Sequence, residues 1–254
     1  MRAVSLLIFM LALVPLVGLA NASYNVTHIN VNMFLSPNTS AHVNETIQFT
    51  ITNQSVRQYQ QDRIALNLTV SQWQQIVGSQ LTEHIINPTG SIYNFILLPG
   101  PVVQNGNGYR AYIVLSYDVN NVTTVNQTSP RVFVYTFKSN VFNFQHGASG
   151  EVLSPNTTLN ITIPSGSVVR SVYPIPDAPA SGITNNYANV TTLSWFYGEP
   201  LSKFSLAFVV NQSLRDEVSS FFSQVYHKLG IYAYVLIGLV ILLFILYAYY
   251  RASK

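Results

Sequence analysis

The stretch His42-Val43-Asn44-Glu45-Thr46-Ile47-Gln48-Phe49-Thr50-Ile51-Thr52-Asn53 decides the fold class. Ile47, Phe49 and Ile51 alternate with Thr46, Gln48, Thr50 and Thr52. A period of two sends one set toward a core and the other toward water, as in a half-buried strand. The preceding Tyr24–Leu35 reads the same way, with Val26, Ile29, Val31, Met33 and Leu35 apolar and one slip near His28. Pro37-Asn38 supplies the turn between the two.

Further alternating runs follow. Asp62–Val70 places Ile64, Leu66, Leu68 and Val70 on one face, with Asn67 and Thr69 on the other. Ile92–Leu98 and Tyr109–Val119 are separated by Pro99-Gly100-Pro101 and the hairpin-like Asn105-Gly106-Asn107-Gly108. Beyond these lie Arg131–Phe137, Thr157–Ile163, Val168–Tyr173, Val190–Phe196 and Phe204–Val210, with a proline-rich loop over Pro174–Pro179. One short helix interrupts the pattern: Ser71 caps it, Trp73, Ile76 and Val77 share a face, and Gly78 ends it. Short strands at such spacing predict a mainly β chain of two antiparallel β-sandwich (Ig-like) modules. Their seam is expected in the polar segment Asn120–Ser129, giving modules over 23–127 and 128–212.

The period then changes. Ser213-Leu214-Arg215-Asp216 resembles a capped helix start, with Asp216 and Glu217 in the first turn. Leu214, Val218, Phe221, Phe222, Val225 and Leu229 form one apolar stripe over a juxtamembrane helix, 213–228. That stripe suits a partner face, a membrane-lying face or packing on the neighbouring strands. The next segment, Leu229–Tyr250, reads LGIYAYVLIGLVILLFILYAYY. About 22 residues at about 1.5 Å each give about 33 Å of helix, enough for a hydrocarbon core of about 30 Å. Tyrosines mark both ends, as interfacial aromatic belts do. The helix is expected to run straight on from the preceding one or to bend at Gly230.

At the other end Arg2, an apolar run and Ala20-Asn21-Ala22 read as a signal peptide, 1–22. Arg251 and Lys254, in a tail of 251–254, are then cytoplasmic by the positive-inside rule. The expectation is a single-pass type I cell-membrane protein with its bulk outside. Of twelve Lys and Arg, Arg2, Arg251 and Lys254 lie outside 23–228, leaving nine against nine Asp and Glu. An outward portion without net charge has no basic stripe to collect phosphates, so nucleic-acid binding is not expected. Without cysteine no disulfide, zinc knuckle or thiol nucleophile is available.

Charge is scarce, and a different coat is legible. Sequons begin at Asn25, Asn38, Asn44, Asn53, Asn67, Asn121, Asn126, Asn156, Asn160, Asn189 and Asn211, with one more at Asn21 in the signal. Pro88 disqualifies Asn87. Twelve of 23 asparagines head a sequon, where this Ser/Thr content gives roughly four by chance. Covalent N-glycans are therefore expected.

Catalytic patterns are absent. The five histidines (His28, His42, His84, His146 and His227) fall in separate stretches and read as isolated side chains. No H-E-x-x-H, G-x-S-x-G elbow, phosphate loop or dinucleotide fingerprint occurs. Asp118-Val119-Asn120-Asn121 offers oxygens but lacks the glycine and distal glutamate of a calcium loop. No enzyme activity, cofactor or metal is expected.

The order of elements resembles that of ribophorin I, an accessory subunit of the oligosaccharyltransferase. The likeness runs from THINVNMFLSPNTSAHVNETIQFTITN (27–53) through SQWQQIVGSQL (71–81) to GYRAYIVLSYDV (108–119). It continues in SPRVFVYTFKSNVFNFQHG (129–147) and NTTLNITIPSGSVVRSV (156–172). The resemblance implies a non-catalytic scaffold beside a multi-span catalytic glycosyltransferase subunit, here of archaeal type. The tail is too short for a cytosolic domain, which sets this chain apart from animal members. The other reading is a structural cell-envelope glycoprotein associated with a surface layer.

Overall fold

The computed structural model describes residues 24–65, 68–90, 92–106, 108–147, 150–179, 190–196, 198–230 and 232–252. The expected signal peptide, Leu66, Asn67, Asn189, Ser253 and Lys254 lie outside them.

Thirteen strands form the described body. They are β1 Tyr24–Leu35, β2 Ala41–Ile51, β3 Ile92–Pro99, β4 Val103–Asn105, β5 Gly108–Val119 and β6 Thr123–Ser129. Then come β7 Val132–Phe137, β8 Gln145–Gly147, β9 Gly150–Val152, β10 Thr157–Thr162, β11 Val168–Tyr173, β12 Thr192–Trp195 and β13 Ser205–Asn211. The slip expected near His28 is a bulge between Val26 and His28, where the register against β2 shifts.

The strands pair across the expected seam. A seven-stranded sheet runs β12-β10-β1-β2-β5-β3, with β4 also on β5, and a four-stranded sheet runs β11-β13-β7-β6. Strands expected in different modules share the larger sheet, and β1 lies parallel to β10, Ile29 opposite Thr157. Hydrogen bonding therefore does not follow a 127/128 division. The polar segment expected as a seam is β6, an edge strand on β7. Its side chains are mostly exposed, so the polar residues that suggested a linker are simply those a solvated edge tolerates.

Both sheets contribute to one hydrophobic core. Val31, Met33, Ile47, Phe49, Ile113, Leu115, Ile161 and Trp195 point in from the large sheet, and Phe137, Leu206 and Phe208 from the small one. The opposite face of the large sheet is polar along its middle, with Phe34 exposed on β1 and Tyr112, Ile96 and Leu98 exposed toward its β3 side. Cross-strand register sets Ser194, Asn160, Asn32, Asn44 and Ser116 in one row across five strands.

Two helices follow β2: α1 Val56–Ala65 and α2 Val70–Val77. The strand expected over Asp62–Val70 is thus corrected. Its first half closes α1, where Gln and Arg favour helix and Gln58 Nε2 donates to Asp62 Oδ1 at 2.9 Å one turn on. Ile64, expected inward, is 70% exposed. The cap of α2 is Thr69 rather than Ser71: its hydroxyl accepts from Gln72 N–H, and Gln72 reciprocates on the Thr69 N–H. Trp73 and Val77 are buried as expected, and Gly78 at φ +123° ends the helix. Tyr59 of α1 packs edge-on against Trp73 and Phe49, its ring 5.6 Å from each.

At the C-terminal end stand α3 Leu214–Leu229 and α4 Tyr232–Ala252. The chain breaks at Gly230, φ +54°, whose N–H reaches Tyr226 O at 2.7 Å, so the bend is found there and the second helix begins after Leu229. Counted over the described residues alone, no helix is long and apolar enough to cross a membrane. Several side chains of α4, those of 233–237 among them, lie outside the described ones.

Candidate functional site

Two histidines read as isolated from sequence are each paired with a carboxyl group. On the polar face of the large sheet, His42 and Asp118 sit directly opposite across β2 and β5. His42 Nδ1 lies 2.7 Å from Asp118 Oδ1, and Asn94 Nδ2 donates to Asp118 Oδ2 at 2.6 Å. Asn94 has φ +50° at a bulge in β3, which turns its amide toward the carboxylate. These hydrogen bonds, Asn94 first and then His42, hold the Asp118 carboxyl below its ordinary range. Ser116 Oγ is 3.4 Å from His42 Nε2, so Asp118, His42 and Ser116 follow the order of a hydrolytic triad. Ser116 lies within a strand flanked by β2 and β3 rather than on a turn, and the β3 ladder shifts register beside it, between Tyr93 and Ile96. The array orients side chains over an open depression of about 630 Å³ bordered by Phe34, Asn38 and Tyr93.

The second pair is buried. Glu45 lies on the inward face of β2, in phase with Ile47 and Phe49, and is 0% exposed. It accepts from His84 N–H at 2.8 Å and faces His84 Nδ1 at 2.6 Å. Tyr117 O–H donates to the same carboxyl, while Ile85 N–H donates to Tyr117 Oη at 3.2 Å. Burial first, and then the Glu45 charge, push the Tyr117 phenol far up, so it stays a donor. Glu45 shares the parity of Ile47, Phe49 and Ile51, which is the one sequence signal of a buried acid at this position. Its partners, 39 and 72 residues away, leave no local signature. Among the described residues no group of three or more His, Asp or Glu side chains is arranged to hold a metal.

Four side chains of the apolar stripe of α3 are left uncovered. Leu214, Val218, Phe221 and Phe222 are all exposed, and Phe221 reaches 60%. Packing of this stripe on the neighbouring strands is therefore not what these four side chains do. The side chain of Val225 lies outside those described. The body is joined to α3 through Arg131, whose carbonyl accepts from Gln212 N–H at 2.8 Å and whose Nε lies 3.2 Å from Glu217 Oε2.

The sequons scatter over the surface. Asn25, Asn38, Asn53, Asn121, Asn126, Asn156 and Asn211 are exposed, and Asn44 and Asn160 are half-buried in the polar row. Asn67 and Asn189 lie outside the described residues. Asn38 Oδ1 accepts from both the N–H and the hydroxyl of Ser40, closing its sequon into a turn. Asn160 Nδ2 donates to Asn30 Oδ1 at 2.8 Å and to Asn32 Oδ1 at 3.0 Å.

No protein-family model matches this chain, and no curated protein does. Among solved structures, the folded domain of Mycobacterium tuberculosis LppM aligns with 74% of this chain and 92% of its own at 8% identity. The TM-score of that alignment is 0.25, too low to carry an argument.

Proposed function

We propose that the chain is a single-pass type I membrane glycoprotein whose task is contact rather than catalysis. The bulk stands outside as an accessory or scaffold subunit of a membrane complex, and the oligosaccharyltransferase is the complex that the order of elements suggests. One observation carries this reading: the exposed stripe Leu214, Val218, Phe221 and Phe222 directly precedes the apolar helix α4. Uncovered apolar side chains at helical spacing need a cover, and beside an anchor the nearest cover is another membrane protein. The 21 residues of α4 rise about 31 Å at about 1.5 Å each, the thickness of a hydrocarbon core.

The discriminating experiment is mild extraction from native membranes followed by mass spectrometry of the co-purifying proteins. A multi-span glycosyltransferase in stoichiometric amount, released by Val218→Ser with Phe221→Ser, supports the accessory role. The polar row of the large sheet, with sequons at Asn44 and Asn160, favours a second reading, an envelope glycoprotein coating a surface layer. In that case the chain leaves the membrane with surface-layer material and without such a partner.

A further inference from the structure

Beside the buried pair lies a pocket of about 280 Å³ whose wall includes His84, Gln80, Asn143, Phe144, Gln145 and Ser154. We propose that it binds one neutral, hydroxyl-rich ring, a single monosaccharide unit. This goes beyond the contact role proposed above and does not depend on it.

The wall is built rigidly. Ile86 N–H reaches Val141 O at 2.7 Å and Asn143 N–H reaches His84 O at 2.8 Å, so 84–86 and 141–143 run side by side. Glu45 then fixes the imidazole from behind, holding both the His84 backbone N–H and Nδ1. Nε2 is the nitrogen left for the pocket, on a residue only 5% exposed. Asn143 gives one amide hydrogen to Glu83 O at 2.8 Å, which fixes the amide and leaves its second hydrogen and its oxygen for the pocket. Phe144, 4% exposed, backs the imidazole with its ring 5.1 Å from the His84 ring and gives the pocket only an apolar margin.

Chemistry selects the ligand. The lining has no Lys, Arg, Asp or Glu, and His84 is its one titratable side chain. An anion would find no cation except an imidazole already backed by a carboxyl group, and a cation would find no carboxylate on the wall, because Glu45 is fully covered. Amides, hydroxyls and one imidazole both donate and accept, which matches a ring of hydroxyl groups. At about 280 Å³ the pocket falls just under the usual small-molecule range of about 300–1,000 Å³, room for a single unit and not for a chain.

The test uses the full chain in a detergent without a sugar head group. Saturation-transfer NMR is recorded with glucose, galactose, mannose, N-acetylglucosamine and, as the charged control, glucuronate. Transfer to the ring protons of at least one neutral sugar is expected, weakened at least fivefold by Gln80→Ala with Gln145→Ala. Both of these side chains are on the exposed rim, so the double variant keeps its fold, checked by its unfolding midpoint. His84→Gln should abolish the signal. No transfer to any neutral sugar, tighter binding of glucuronate, or transfer unchanged in the double variant would overturn the proposal.

Discussion

The Nδ1 atom of His84 lies 2.6 Å from Oε2 of Glu45, with Glu45 fully covered and 7% of the His84 side chain left at the surface. Two polar groups from distant parts of the chain thus satisfy each other inside an apolar layer, with Tyr117 closing the set. Removing one member leaves the others desolvated and unpaired. Glu45→Gln presents an amide N–H₂ to the donors and should cost about 3–5 kcal/mol. Urea unfolding followed by the fluorescence of the buried Trp73 and Trp195 reads this directly. An unchanged midpoint would show that the pair holds nothing.

Sequon occupancy should follow hydrogen bonding. A glycan replaces one hydrogen on the asparagine nitrogen, and at Asn160 both hydrogens are already given to Asn30 and Asn32. Asn53 and Asn126 are exposed. Glycopeptide mass spectrometry of chain from its native membrane should find sugar on Asn53 and Asn126 and a bare Asn160. A fully occupied Asn160 would contradict this ordering.

The Asp118 cluster makes stability depend on acid. The carboxyl is held below its ordinary value of 3.8 in the folded chain by Asn94 and His42. Its contribution is therefore present above that value and is lost as the pH falls through the lower folded one. Asn94→Ala should flatten the decline in unfolding midpoint below about pH 4 while leaving the curve near pH 7 parallel to that of the parent. An identical acid limb in parent and variant would remove the cluster from the account.

Tyr59 donates its hydroxyl to Gly100 O at 2.9 Å and Tyr112 O at 3.2 Å, joining α1 to the large sheet. Burial raises its phenol above the ordinary range. Tyr59→Phe keeps the ring contacts with Phe49 and Trp73 and should cost about 1–2 kcal/mol, whereas Trp73→Ala should cost about 3–5 kcal/mol by opening a cavity. Equal losses in urea unfolding would show that packing and the hydroxyl had been weighed wrongly.

On α3 the prediction separates stability from association. Val218→Ser, Phe221→Ser and Phe222→Ser replace exposed side chains and should each move stability by less than about 0.5 kcal/mol. The triple variant should nevertheless lose its membrane partners in co-purification. Retained partners with normal folding would assign the contact to another face.

Strand positions were legible because alternation is local. The side-chain period of two is written into β1, β2, β5 and β10 by residues a few positions apart, and even the bulge beside Val26 shows as a break in that period. The turn at Gly78 was equally legible, whereas at Gly230 the sequence allowed a straight run or a bend and the structure shows the bend. Local alternation misled over Asp62–Val70, where the helix-forming run before Ile64 and the Thr69 cap outweighed four spaced apolar residues.

What only the tertiary structure decided is which distant segments meet. Nothing in Ile29 or Thr157 states that β1 and β10 lie parallel, and that pairing makes one sheet of strands expected in two modules. The same holds for His42 with Asp118 and for Glu45 with His84: each member is an ordinary polar residue until folding brings its partner within hydrogen-bond reach. Periodicity reports the face a side chain takes, because that depends on backbone geometry alone. Partnership depends on chain topology, which a single pattern of hydrophobic and polar residues leaves open.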